Sequence, residues 1–78
     1  LTIPESVTNI GEGAFSNCSS LSDITIKNSN CFIYYDKYNT YPYDKNNTIS
    51  ETATIYGYAN STAQTYAEKY NRKFIALD

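Results

Sequence analysis

The chain has 78 residues and 41% hydrophobic residues, which bounds it to at most one small domain with a modest core. A net charge of −2 with six scattered Lys and Arg leaves no basic stripe for nucleic acid, and no apolar run approaches the roughly 20 residues that cross a bilayer. There is no His to complete a nucleophilic or zinc site, so we predict no enzyme activity, no cofactor and no metal.

The segment 1–33 repeats itself with a period of 23. Leu1-Thr2-Ile3 returns as Ile24-Thr25-Ile26, and Ile10 returns as Ile33. A period between about 20 and 50 residues indicates a repeat architecture, in which stacked units bury the apolar side that one unit cannot cover alone. The alternation in each triplet predicts a short half-buried strand. We therefore expect a solenoid of parallel strands, one per unit, with Thr2 and Thr25 adjacent on the exposed face.

The segment that leads from one strand of the repeat back to the next carries a second apolar group. Ala14, Phe15 and Cys18 lie at spacings of three to four, which predicts one helical turn with an apolar face. Cys18 and Cys31 are too few for a disulfide scaffold. They either form one bridge or are each a small buried apolar residue.

These residues resemble the BspA-like leucine-rich repeats of bacterial surface proteins. The family pattern runs roughly L-x-x-I-x-I-P-x-S-V-x-x-I-G-x-x-A-F-x-x-C before it repeats. The matching positions are Ile3-Pro4, Ser6-Val7, Ile10-Gly11, Ala14-Phe15, Cys18, Leu21, Ile24 and Ile26. The resemblance implies an α/β repeat fold: a leucine-rich-repeat solenoid fragment with short parallel strands and irregular or short-helical returns, its first repeat truncated.

The pattern decays in the segment 34–48, which is rich in Tyr, Asn and Asp and predicts an exposed inserted loop. Tyr35 and Tyr43 fall outside the repeat register, so we expect them to face solvent, where Tyr suits protein or sugar contacts. A further strand, "TATIYG", follows the loop. Its Ala53 and Ile55 follow Ile24 and Ile26 at one shared spacing of 29, which predicts that these residues pair.

The segment 49–78 predicts a last strand followed by a helix at about 62–70 and a closing strand at about 73–77. Ser61 and Gln64 form a candidate capping box, and Asn71 can take the left-handed conformation that ends a helix. Residues 49–77 also resemble the C-terminal capping units of such arrays in gut Firmicutes. The domain organisation we expect is therefore repeats over 1–33, the loop over 34–48, and the last strand with its cap over 49–78.

The resemblance implies a secreted or cell-surface bacterial protein that mediates adhesion, with a protein or a polysaccharide as ligand. We expect the contact residues on the exposed strand face and in the neighbouring loop: Thr2, Thr25, Lys27, Tyr35, Tyr43 and Tyr56. An open strand at the N-terminal end could also pair two chains. The alternative is a purely structural cap or spacer of a longer repeat array that is attached to other modules.

Overall fold

A computed structural model describes residues 1–11, 13–15, 20–34 and 48–78. Within these residues six short strands and one helix follow one another along the chain. They are β1 (Thr2–Ile3), β2 (Asn9–Ile10), β3 (Asp23–Ile26), β4 (Phe32–Ile33), β5 (Thr54–Gly57), α1 (Thr62–Lys69) and β6 (Phe74–Ala76). Residues 35–47, which hold most of the predicted loop, lie outside the described residues.

Four of the strands form one parallel sheet in the order β1-β3-β5-β6, and β2 and β4 form a second parallel pair. Thr2 lies opposite Thr25 in the first sheet, and Ile10 lies opposite Ile33 in the second. Both pairs have the spacing of the sequence repeat, so the predicted parallel pairing of the two repeats is confirmed. Short parallel strands stacked in this way, with one helix near the end, form an α/β fold, as the resemblance to leucine-rich repeats implies.

The predicted pairing of β5 is wrong by two positions. Ile24 lies opposite Ile55 and not opposite Ala53, so the offset between the two strands is 31 where the sequence predicted 29. The physical reason is a turn before β5, in which the Ala53 N–H donates to the Ser50 carbonyl at 3.1 Å. The strand consequently begins two residues later than the predicted segment, at Thr54 and not at Thr52. A shift of two positions keeps every side chain on its face, which is why the alternation alone did not reveal it.

The core lies between the inward face of the sheet and the elements that pack against it. Ile24, Ile26 and Ile55 have no exposed surface, whereas Thr25 between them is half-exposed. Helix α1 contributes Ala63, Tyr66 and Ala67 to the same cluster. This alternation follows from the two-residue period of a strand, which sends successive side chains to opposite faces.

A third parallel pairing lies between Phe15 and Ile49 as an isolated bridge. The Phe15 N–H donates to the Thr48 carbonyl at 2.8 Å, and the Ser50 N–H donates to the Phe15 carbonyl at 3.1 Å. Phe15 therefore lies in a ladder and not in the helical turn that its spacing from Cys18 predicted. Cys18 itself lies outside the described residues. Backbone pairing across repeats takes precedence here over the local apolar spacing.

Helix α1 begins after Ser61, whose hydroxyl accepts the Gln64 N–H at 3.2 Å. The Gln64 side chain accepts the N–H of Asn60 at 2.6 Å, one residue earlier than in the standard capping box. The difference arises because the Ser61 N–H already donates to the Tyr58 carbonyl. Asn71 has a φ of 60°, the left-handed conformation that ends the helix.

Gly57 allows α1 to approach β5 closely. A Cβ at this position would lie 3.0 Å from the Ala63 Cβ and 3.4 Å from Phe74. Backbone and a short helical side chain cannot move away easily in a packed interior. The absence of a side chain at residue 57 is therefore part of how α1 packs on the sheet.

We expect Gly57→Val to lower the free energy of unfolding by about 1–3 kcal/mol, the range for overpacking a tight site. Chemical denaturation of the two proteins measures the difference. Gly11→Val is the matched control because a Cβ at Gly11 meets nothing within 4 Å, and its effect should stay within about 0.5 kcal/mol. Equal losses in the two variants would contradict this role for Gly57.

Candidate interaction surface

Thr2, Thr25 and Tyr56 form one row across the outer face of the four-stranded sheet. Thr2 lies opposite Thr25, and Thr25 lies opposite Tyr56. The row continues to Ile75 on β6, which lies opposite Tyr56. Neighbouring strands lie about 4.8 Å apart, so four positions span about 14 Å of sheet. This row, Thr2-Thr25-Tyr56-Ile75, is called the outer row below.

A second row is set by residues two positions further along the strands. Lys27 is exposed at the end of β3, and its N–H donates to the Ile3 carbonyl at 3.0 Å. Tyr58 and Leu77 follow Tyr56 and Ile75 by two positions, and the Leu77 N–H donates to the Gly57 carbonyl. The structure thus brings Thr2, Thr25, Lys27 and Tyr56 onto one face of the sheet.

Tyr56 and Tyr58 are half-buried, so part of each ring remains in contact with solvent. Among the described residues, neither hydroxyl has a hydrogen-bond partner. Tyr66, by contrast, is buried and accepts a backbone N–H. A partly exposed ring with an unused hydroxyl can offer both an apolar face and a hydrogen-bonding group to a ligand.

Tyr35 and Tyr43 lie outside the described residues, so their place relative to the outer row stays a prediction. The sequence interpretation missed Ile75, Tyr58 and Leu77 as members of this face. The signal for Ile75 and Leu77 was the alternation in "KFIAL", which predicted a strand but did not show that the strand extends the same sheet. Tyr58 could have been found from its two-residue spacing to Tyr56.

A groove of about 220 Å³ lies between β4 and α1, away from the outer row. Its walls include Phe32, which is 47% exposed, and Tyr70. The Lys69 Nζ lies 5.6 Å from the centre of the Tyr70 ring, within the range of a cation–π contact. This volume is below the roughly 300–1,000 Å³ of typical small-molecule sites. The outer face of the four-stranded sheet is therefore the better candidate for a binding surface.

The Ile49 clamp is formed by Tyr66 and Arg72 on the two backbone groups of Ile49. The Tyr66 hydroxyl accepts the Ile49 N–H at 3.2 Å, and the Arg72 Nε donates to the Ile49 carbonyl at 3.1 Å. A second nitrogen of the guanidinium donates to the Tyr70 carbonyl. Because the bridge to Phe15 uses the opposite side of this segment, the two side chains occupy the positions where a further strand would pair.

Cys31 is a free thiol with no exposed surface. Burial raises the pKa of the Cys31 thiol above its ordinary value of 9.0, because an apolar interior disfavours the thiolate. The thiolate is the reactive form, so Cys31 is protonated at neutral pH and poorly suited to nucleophilic chemistry. Cys31 is therefore a small buried apolar residue, which is the second of the two alternatives that the sequence left open for it.

Within the described residues, no group of three or more His, Cys, Asp or Glu side chains could hold a metal ion. No helix in the same residues is long and apolar enough to cross a membrane.

Comparison with known proteins gives one match. No curated protein and no solved structure matches this chain. The family model described as "BspA type Leucine rich repeat region (6 copies)" matches residues 1–68. Repeats of this type are typically non-catalytic interaction modules, found in surface or secreted bacterial proteins. The chain belongs to the BspA-type leucine-rich repeat family.

Proposed function

We propose that this chain is a non-catalytic interaction module of a secreted or cell-surface bacterial protein. It binds a protein or polysaccharide ligand through the outer row, Lys27 and the tyrosines of the inserted loop, and so serves adhesion. The observation that carries the proposal is the outer row itself, in which Thr2, Thr25 and Tyr56 lie side by side on an open sheet face. Family membership supports it, because such repeats are often involved in surface interaction.

The chemistry of the face also supports binding over catalysis. Thr2 and Thr25 offer small hydroxyl groups, and Lys27 offers an exposed charge beside them. Tyr56 offers a ring whose hydroxyl has no hydrogen-bond partner in the part of the chain that the structure describes. Such a surface can stack on an apolar or sugar face and hydrogen-bond at its edge. Among the described residues, none of these groups is paired with a general base or a second carboxylate, as acid–base chemistry requires.

A binding screen of the purified chain against host matrix proteins and polysaccharides tests this function. Saturable binding that Tyr56→Ala weakens about tenfold or more, at an unchanged melting temperature, is the expected result. Phe32→Ala is the matched control, because it removes an exposed aromatic ring from the other sheet. Tyr35→Ala/Tyr43→Ala tests the loop separately. Binding that depends on Phe32 and not on Tyr56 would contradict the proposal.

The second candidate function is structural: a C-terminal cap or spacer that ends a longer solenoid attached to other modules. The Ile49 clamp favours it, since side chains stand there in place of a further strand. A terminal unit that covers the last apolar layer keeps a repeat array soluble. If this chain binds nothing while a longer chain with upstream repeats binds a ligand, the structural function is supported and the interaction module lies upstream.

A further inference from the structure

β6 leaves one edge of the four-stranded sheet unpaired among the described residues. On its inner side the Lys73 carbonyl accepts the Ile55 N–H at 2.8 Å, and the Leu77 N–H donates to the Gly57 carbonyl at 2.7 Å. In a parallel ladder this register directs the N–H and C=O of Ile75 towards β5 as well. The N–H and C=O groups of Phe74 and Ala76 therefore point away from the sheet.

Protection of this edge differs from that of the Phe15–Ile49 ladder, which the Ile49 clamp ends. Helix α1 packs against β6 as it does against β4, but among the described residues no side chain bonds the outward backbone groups of Phe74 and Ala76. The strand also carries no Pro and no inward-pointing charge, which natural edge strands use to prevent pairing. Instead Ile75 and Leu77 are 40% and 41% exposed on its outer face. The edge is open and apolar.

We propose that β6 is a docking edge for a second copy of this chain, which pairs with it antiparallel about Ile75. The outward groups of Phe74 and Ala76 are placed symmetrically on either side of Ile75. A two-fold axis at Ile75 therefore sets Phe74 of each copy opposite Ala76 of the other, and the two pairs make four backbone hydrogen bonds. The same axis lays the exposed Ile75 side chains of the two copies against each other and sets Leu77 of each copy beside Lys73 of the other.

Charge favours the antiparallel arrangement and a second copy as the occupant. The exposed Lys73 precedes β6, and Asp78 follows it with its carboxylate also accepting the Ala59 N–H at 2.9 Å. Antiparallel pairing brings the basic end of one copy beside the acidic end of the other at both ends of the contact. A parallel pair would bring like charges together, which is unfavourable.

The contact is short, since β6 has three residues, so the dimer is weak and depends on concentration. Its consequence is geometric. The two four-stranded sheets join into one sheet, and two outer rows face the same side. A ligand with repeated features could then engage both copies, which raises the apparent affinity without any new contact in either.

Disulfide trapping of the full chain in a Cys18→Ser background tests the register. In this arrangement the two Ile75 residues form a non-hydrogen-bonded pair with Cα atoms about 4.5 Å apart, within the range of a disulfide. Ile75→Cys should cross-link at least about tenfold faster than Thr25→Cys, whose thiol lies on the same face but two strands from the edge. Equal rates in the two variants would overturn the proposal, because they would mean random encounter or pairing elsewhere.

Sedimentation equilibrium of the unmodified chain and three variants tests the contributions of backbone hydrogen bonds and of charge pairing to the dimer. Ala76→Pro removes an outward N–H and no bond to β5, and should abolish the dimer while the melting temperature changes little. Lys73→Glu should weaken the dimer, and Lys73→Glu/Asp78→Lys should restore it. A monomer at all concentrations, or a dimer that Ala76→Pro leaves intact, would overturn the proposal. Pairing with an added extended peptide in preference to a second copy would overturn it as well.

Discussion

Ile55→Ala is expected to lower the free energy of unfolding by about 2–5 kcal/mol, the cost of deleting a large buried aliphatic side chain. Ile55 has no exposed surface and lies on the central strand β5, opposite Ile24 on one side and Phe74 on the other. The remaining elements cannot close the space, because hydrogen bonds hold β5 to both neighbours. Domains of this length have only about 4–12 kcal/mol in total, so the variant loses a large part of its stability.

Urea denaturation followed by far-ultraviolet circular dichroism measures this loss. Ile75→Ala is the matched control, since it makes the same change on the neighbouring strand at a side chain that is 40% exposed. We expect it to cost less than about 1 kcal/mol, because an exposed side chain leaves no cavity. If both variants lost the same stability, the core would not lie on the inward face of β5.

Tyr66→Phe is expected to lower the free energy of unfolding by about 1–3 kcal/mol, because it leaves the buried Ile49 N–H without an acceptor. The ring stays, so apolar packing is nearly unchanged and the effect isolates the hydroxyl. Arg72→Met removes the other half of the Ile49 clamp while keeping much of the buried stem, and should cost at least as much. A bond from a charged donor is stronger than a neutral one.

Tyr58→Phe is the control for the hydroxyl, because the Tyr58 hydroxyl has no hydrogen-bond partner among the described residues. Its effect should stay within about 0.5 kcal/mol. The double variant Tyr66→Phe/Arg72→Met tests whether the clamp acts as a unit, since groups that share a partner residue are rarely additive. A Tyr66→Phe protein as stable as Tyr58→Phe would show that water replaces the lost acceptor.

Much of the strand pairing could be predicted because the period of the repeat can be recognised from the amino-acid sequence. The repeat spacing that carries Thr2 to Thr25 is also the register of the first two strands, since each unit contributes one strand to the same ladder. The end of α1 could be predicted as well, because Asn71 tolerates the left-handed backbone there. Such local signals survive folding when tertiary contacts do not oppose them.

The rest depends on contacts between segments that are distant in the sequence. Nothing in "KFIAL" alone says that β6 lies beside β5, and no motif announces that Tyr66 and Arg72 meet at Ile49. Of the candidate site, the Thr2, Thr25 and Tyr56 row could be predicted because strand alternation places it. Ile75 could not, because its membership depends on which edge β6 joins.

The Ile49 clamp also bears on how the chain selects one register for β5. The predicted and the observed offsets both keep Ile55 inward and Tyr56 outward, so the pattern of apolar residues cannot separate them. Specific contacts can. Tyr66 and Arg72 bond the two backbone groups of Ile49. The absence of a side chain at Gly57 leaves room for Ala63 of α1, whose Cβ lies 3.0 Å from where a Cβ at residue 57 would be. Together these contacts fix the register. The apolar alternation determines which face of β5 is buried, and the specific contacts determine the position of β5 along the ladder.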